Sequence, residues 1–354
     1  MKKIVAGAAL LAAITMPQLS FAKIWRLNNN AGVTADFTNI NAAVTNASVV
    51  SGDTIHLEAS ATDYGSATLT KRLVIIGLGY FLDAGNTSFP ANTGLQASSL
   101  SGMLSSLTLG TGSNGSKFIG VLFNSSVSIS ANPNPLNFAF EKCLMNSGVF
   151  FPSTPVSAVT IRKCFFNNAR IEANTANTLS DFVCENNIFY STFAYLSLPG
   201  LTGSNNIFRN NSFSGVGAAS TISNCYVANN IFGTSPNIAF TNCTIKNNLF
   251  QANQTLPPTA TNNQINVNMT NVYVGGTTGS IDSRMALKSG SPAIAAGLTV
   301  GAVTTPDCGA FGATDPYKLS GIPNIPSIYA LTVPISIPAG SNSMNVTFST
   351  RSNN

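Results

Sequence analysis

Phe208-Arg-Asn-Asn-Ser-Phe213, Val227-Ala-Asn-Asn-Ile-Phe232 and Ile245-Lys-Asn-Asn-Leu-Phe250 share one layout: an apolar residue, two polar or turn residues, Asn, any residue, then Phe. The layout recurs upstream as Cys184-Glu-Asn-Asn-Ile-Phe189, Ile161-Arg-Lys-Cys-Phe-Phe166 and Phe140-Glu-Lys-Cys-Leu-Met145, with a fainter copy at Phe118-Ile-Gly-Val-Leu-Phe123. Its fourth position reads Val121, Cys143, Cys164, Asn187, Asn211, Asn230 and Asn248, at spacings of 18 to 24 residues. One coil of a solenoid needs about that many residues, and variable spacing around a constant motif means loops of different length on a regular scaffold.

The first and sixth motif positions are both apolar yet five residues apart, which strict strand alternation would send to opposite faces. A bend between them resets the alternation. The third position supplies it: Gly120, Lys142, Lys163, Asn186, Asn210, Asn229 and Asn247. Gly and Asn accept the left-handed conformation that such a corner requires, so the two lysines predict less ideal corners. Stacked coils bring equivalent residues to about 4.8 Å. Asn187, Asn211, Asn230 and Asn248 then form an inward ladder of amides, and the sixth position forms an aromatic stack.

The rest of the composition agrees. The chain has 354 residues, with 29 Gly, 17 Pro and abundant Asn, which disfavour long helices. Only 8% of residues are charged, and the net charge of +5 is spread thinly, which excludes acidic tails and nucleic-acid binding. Residues 1–22 open with Lys2 and Lys3, continue with an apolar run and close on small residues, the layout of a secretory leader. The competing reading, a membrane span, needs about 20 apolar residues, and this run is shorter. Residues 36–48 place Phe37, Ile40, Val44 and Ala47 three or four apart, which predicts a short amphipathic helix over the open end of the first coil. Strands are expected at 54–57 and 73–76. The expected division is a leader over 1–22, an N-terminal cap with a short helix over 23–52, a parallel β-helix over 53–315 and a Pro-rich tail or cap over 316–354. That tail is read as a cap, a brace along the coils or a sorting tail, with a strand at 344–348.

The Asn-Asn-Ile-Phe corners and Asn column, over roughly residues 110 to 265, resemble the right-handed parallel β-helix superfamily that includes pectate lyases and polygalacturonases. Two further stretches resemble secreted β-helix proteins of the Bacteroidota type. They are Ala35-Asp-Phe-Thr-Asn-Ile with Ser51-Gly-Asp-Thr-Ile-His-Leu57, and Ser291-Pro-Ala-Ile-Ala-Ala-Gly297 with Asp307-Cys-Gly-Ala-Phe-Gly312. The closing motif of that group reads S-P-A-I-D-x-G, and here Ala295 replaces the Asp. The resemblance implies an all-β fold, a single right-handed parallel β-helix of about ten coils.

Six cysteines in an exported chain would ordinarily suggest disulfides. Cys143 and Cys164 share one column, however, and Cys225 and Cys243 another. In-register neighbours sit farther apart than the roughly 3.5–4.5 Å between Cβ atoms that a disulfide wants, so buried stacked thiols are expected. A linear stack supplies no converging metal ligands.

Enzymes of the superfamily carry clustered acids, a Gly-His-Gly or several calcium-binding carboxylates. This sequence has no adjacent acids, and its one histidine, His56, alternates with Ile55 and Leu57 and is expected at the surface. No catalytic residue, metal ligand or cofactor is assigned. The second motif column, Glu141, Arg162, Glu185, Arg209, Ala228 and Lys246, reads as an exposed charge ladder. Glu141 and Glu185 would lie at the upper edge of an inverting glycosidase's spacing, but Arg162 between them would hold both ionised. Tyr190, Phe193 and Tyr195 offer rings that could stack on a sugar, or simply pack on the scaffold.

The expected protein is therefore an exported, non-catalytic, monomeric scaffold. It would be extracellular, on the cell surface or in the periplasm, and would bind a polysaccharide or another envelope component. The alternative is a polysaccharide lyase or glycoside hydrolase acting on an acidic or plant-type polysaccharide. Finally, the fifth motif position, Leu122, Leu144, Phe165, Ile188, Ser212, Ile231 and Leu249, would face outward as an apolar stripe too large for a soluble monomer to expose. Cover by residues 317–348 is expected. Cover by inter-coil loops, or use of the stripe as a binding face, are the other readings.

Overall fold

The computed structural model describes residues 22–83, 86–88, 90–130, 136–173, 179–191, 195–216, 220–234, 237–337 and 339–352. The leader expected over 1–22 falls outside them except for Ala22, and so does Phe193.

A complete coil contributes a strand to each of three parallel sheets, taken in chain order as first, second and third. The first sheet has ten strands, from Ile24–Leu27 to Thr244–Lys246; the second and third have eight each. The result is a right-handed parallel β-helix of about eight turns rather than ten, because the coils at its two ends lack a full set of three strands. Coils stack in motif register: Phe140 pairs Ile161, Ile161 pairs Cys184, and Phe208 pairs Val227.

The third-position corner falls between the first and second sheets. Every residue there has a positive φ, from Asn210 at 52° to Gly120 at 64°. The expectation of poorer corners at the lysines is corrected, since Lys142 and Lys163 take φ of 55° and 54°, like the asparagines. Inside, the sixth-position rings stack at 4.6 Å (Phe166–Phe189), 4.4 Å (Phe189–Phe213) and 5.0 Å (Phe232–Phe250). Beside them runs the amide ladder. Asn187 Nδ2 donates to Asn211 Oδ1 at 3.0 Å, Asn211 to Asn230 at 3.0 Å, Asn230 to Asn248 at 2.9 Å, and Asn248 to Asn263 at 3.0 Å. Each Oδ1 also accepts the backbone N–H of the preceding rung, so corner groups with no strand partner are satisfied. The thiols prolong the column: Cys164 N donates to Asn187 Oδ1 at 2.9 Å, and Cys143 N to Cys164 Sγ at 3.4 Å. All six cysteines are free, and burial pushes the Cys164 and Cys184 thiols well above the ordinary range.

The N-terminal helix is shorter than expected, spanning Ile40–Thr45. Asn39 caps it, its side chain accepting Ala42 N at 2.7 Å, and Ile40, Ala43 and Val44 are buried. Ala47 is exposed, because Asn46 already has an extended ψ of 132°. The solenoid begins before this helix, as the strand Ile24–Leu27 pairs Thr54–Leu57. Residues 23–52 are thus a first strand plus a cap.

The far boundary also moves. The last coil closes with the bridges Lys246 to Thr261 and Leu249 to Gln264, and residues 265–324 leave the cylinder to run back along its outside. This segment is a strap. Asn247 Nδ2 donates to Ala296 O at 2.9 Å, Asn229 to Leu298 O at 2.9 Å, Asn210 to Asp307 O at 3.3 Å and Asn186 to Gly312 O at 2.8 Å. Lys163 then pairs with Asp315, and Lys142 donates to Ile322 O at 2.9 Å. At Gly120 a Cβ would come within 2.5 Å of Pro323, so only glycine admits the strap there. The third column is therefore both a corner and a docking rail. Asn and Lys serve both purposes because a left-handed backbone points their donors outward.

The strap covers the fifth-position stripe. Leu144, Phe165, Ile188, Ile231 and Leu249 are at most 3% exposed, in one apolar cluster with Tyr80, Phe81, Val272, Tyr273, Met285, Ala310 and Tyr317. Intramolecular cover is correct in kind: Tyr317 and Leu319 fall within the expected 317–348, Val272, Tyr273, Met285 and Ala310 precede that range, and Tyr80 and Phe81 come from the loop between the strands Val74–Ile76 and Met103–Leu104. Buried Asp282 ties two parts of the strap to each other and to that loop by accepting from Ser320 N (2.7 Å), Ser283 N (2.9 Å), Tyr317 OH (3.2 Å) and Ser280 Oγ of the strap and from Asn92 Nδ2 of the loop (3.0 Å). Residues beyond 324 form an antiparallel hairpin, Ser327–Thr332 with Thr347–Arg351, whose Leu331 and Phe348 are 51% and 60% exposed.

Ala295 holds φ of 53° at an exposed site, with its N–H on Asp307 Oδ1 at 2.8 Å. An alanine Cβ is strained in this conformation and Asn much less so. Ala295→Asn should therefore raise stability by about 0.5–1 kcal/mol in urea denaturation.

Candidate binding face

The residue after each motif completes the outer edge of the second sheet, giving Asn124, Asn146, Asn167, Tyr190, Ser214, Gly233 and Gln251 in successive coils, a polar run broken once at Gly233. Their side chains lie outside because the inward sixth position precedes them. Asn167 Nδ2 donates to Asn146 Oδ1 at 2.9 Å and Asn146 Nδ2 to Asn124 Oδ1 at 3.4 Å, an external amide ladder.

Two cavities open along this column where the cover stops short of it. One, of about 140 Å³, lies between Phe81, Leu122, Leu144, Asn146 and Asn167. The other, of about 350 Å³, lies between Tyr190, Ser191, Ser214, Gln251, Met269 and Tyr273. No charged side chain lines either one among the described residues. Tyr190 is half-buried, its ring 5.9 Å from that of Phe165. Tyr273 OH donates to Phe213 O at 3.1 Å, which anchors the opposite wall. Chemically the face offers amides, hydroxyls and ring surface without ionised groups.

The aromatic residues singled out in the sequence are not gathered. Tyr190 ends a second-sheet strand, whereas Tyr195 opens a third-sheet strand, where its OH meets Glu172 at 3.3 Å and Arg170 lies 5.5 Å over its ring. The column containing Tyr190 was missed because the motif was read over six positions; a seventh would have exposed the polar run.

The charge ladder occupies the first sheet, away from this column. Arg162 binds Glu141 at 3.0 Å and Arg209 binds Glu185 at 2.8 Å, while Lys246 stands beside Ala228. Such partly exposed pairs are worth only about 0.2–1 kcal/mol each. His56 corrects expectation, being half-buried between Arg26 and Ile76 with Nε2 unpartnered. Burial, opposed by Glu58, holds its imidazole below the ordinary range.

No three His, Cys, Asp or Glu side chains cluster as a metal site among the described residues. No helix among them is long and apolar enough to cross a membrane. No protein-family model matches the chain, and no curated protein matches it.

Proposed function

We propose that the protein is an exported, non-catalytic β-helix scaffold that binds a neutral glycan along the outer edge of its second sheet. The observation that carries this reading is the uncharged column around Tyr190: amides of Asn124, Asn146 and Asn167 on one side and Ser214 and, beyond Gly233, Gln251 on the other, next to a ring face and a cavity of about 350 Å³. Sugar rings offer hydroxyls to such groups and C–H faces to a ring. Export rests on the layout of residues 1–22.

Retention on a panel of immobilised neutral and acidic polysaccharides, scored alongside release of reducing ends or unsaturated products, tests the proposal. Retention on a neutral polymer is expected, with Tyr190→Ala weakening it about tenfold, the equivalent of roughly 1.4 kcal/mol. Retention unchanged by Tyr190→Ala would move the site elsewhere. Cleavage of any polymer would overturn the non-catalytic reading.

A further inference from the structure

A separate cavity of about 470 Å³ lies where the strap meets the C-terminal hairpin. It is lined by Leu95, Phe311, Leu319 and Ile322, by Tyr317, and by three basic residues, Lys142, Lys318 and Arg351. No carboxylate lines it among the described residues. The nearby acids are committed: Asp315 pairs with Lys163, and Asp282 accepts five donors behind Tyr317.

Lys142 is only 1% exposed. Its ammonium donates to Ile322 O at 2.9 Å and to Asn324 Oδ1, which leaves one of three N–H groups unused. Arg351 Nη2 donates to Leu95 O at 2.8 Å, while its Nε is buried without a partner. The Lys318 side chain is exposed, with no hydrogen bond or ion pair among the described residues. Docking the strap does not require a cation at this corner, since Asn186, Asn210, Asn229 and Asn247 dock it with neutral amides on the same rail. Lys163, the other lysine on the rail, has Asp315 as counter-ion. Lys142 has none, and burial, reinforced by Lys163 and Lys318, brings its ammonium down to about 8 against the pull of Glu141 and Asp315. A buried cation without a counter-charge is costly, and an anion in the cavity would relieve it.

We propose that this cavity binds an amphipathic anion, its carboxylate or phosphate head held by Lys142, Lys318 and Arg351 and its apolar body lying against Leu95, Phe311, Leu319 and Ile322. The volume falls in the range of small-molecule sites, which combine apolar walls with a few converging polar groups.

Titration calorimetry of the full chain with octanoate, octyl phosphate, inorganic phosphate and octanol tests the assignment. At least one of the two octyl anions should bind ten or more times more tightly than phosphate or octanol, and the tighter of the two identifies the head group. Lys318→Gln and Arg351→Gln should each weaken that binding at least fivefold. Lys318→Gln should leave the melting temperature unchanged, since this side chain is exposed and unpaired. Affinity should also fall as the pH rises through about 8, where Lys142 loses its proton. The proposal is overturned if neither octyl anion binds, if octanol binds as tightly as they do, or if both substitutions leave affinity unchanged. Phosphate binding as tightly as the octyl anions would overturn the apolar half of the assignment.

Discussion

Cutting the chain after Gln264 should abolish the soluble monomer, although every strand of the β-helix would remain. Phe165, Ile188, Ile231, Leu249 and Leu144 are buried by residues that this cut removes or unpins. Side chains of that size contribute about 1.5–3 kcal/mol each on burial, so the loss is on the order of 10 kcal/mol. That is comparable to the whole stability of an ordinary domain. The rail would also lose the carbonyls of Ala296, Leu298, Asp307 and Gly312. The truncated chain is expected to aggregate or to bind a hydrophobic dye strongly. Removing only residues 325–354 should shift the melting temperature by a few degrees at most, since the hairpin is largely exposed. Size-exclusion chromatography and dye fluorescence on the two truncations separate these outcomes. A dye-silent monomer from the longer deletion would refute the strap's role.

The second large effect is expected at Asn230. Its Oδ1 accepts both the backbone N–H and the side-chain amide of Asn211, and its Nδ2 donates to Phe208 O, Ala228 O and Asn248 Oδ1. Alanine leaves the Asn211 N–H buried without a partner and removes one donor each from Phe208 O, Ala228 O and Asn248 Oδ1, and such an orphan costs about 1–3 kcal/mol. Asn230→Ala should therefore cost about 2–3 kcal/mol, seen as a lower urea midpoint with the slope unchanged. Asn263→Ala, at the half-exposed end of the ladder, should cost about 1 kcal/mol because water can replace the amide. Equal losses at the two sites would mean that the ladder is not cooperative.

What was legible in the sequence is what repeats. The ladder positions, the left-handed third column and the aromatic stack each recur once per coil. Every copy meets the same neighbours about 4.8 Å away, so the column alone specifies the contact. The outward fifth column was legible for the same reason, as was its need for cover. The ring pair Tyr190 and Tyr195 was not, because Tyr190 ends a second-sheet strand while Tyr195 opens a third-sheet strand, and nothing in the local sequence separates the two.

The cover itself was decided only by the tertiary structure. Residues 265–324 have no period, and their pairings with the rail, such as Asn247 with Ala296 or Lys142 with Ile322, join positions 49 and 180 residues apart. Local alternation carries no information at such distances. The cavity of Lys142, Lys318 and Arg351 has the same origin. The repeat places Lys142 at a corner, but the strap and the hairpin bring the other two cations to it, because burying the apolar stripe requires the chain to turn back along the coils.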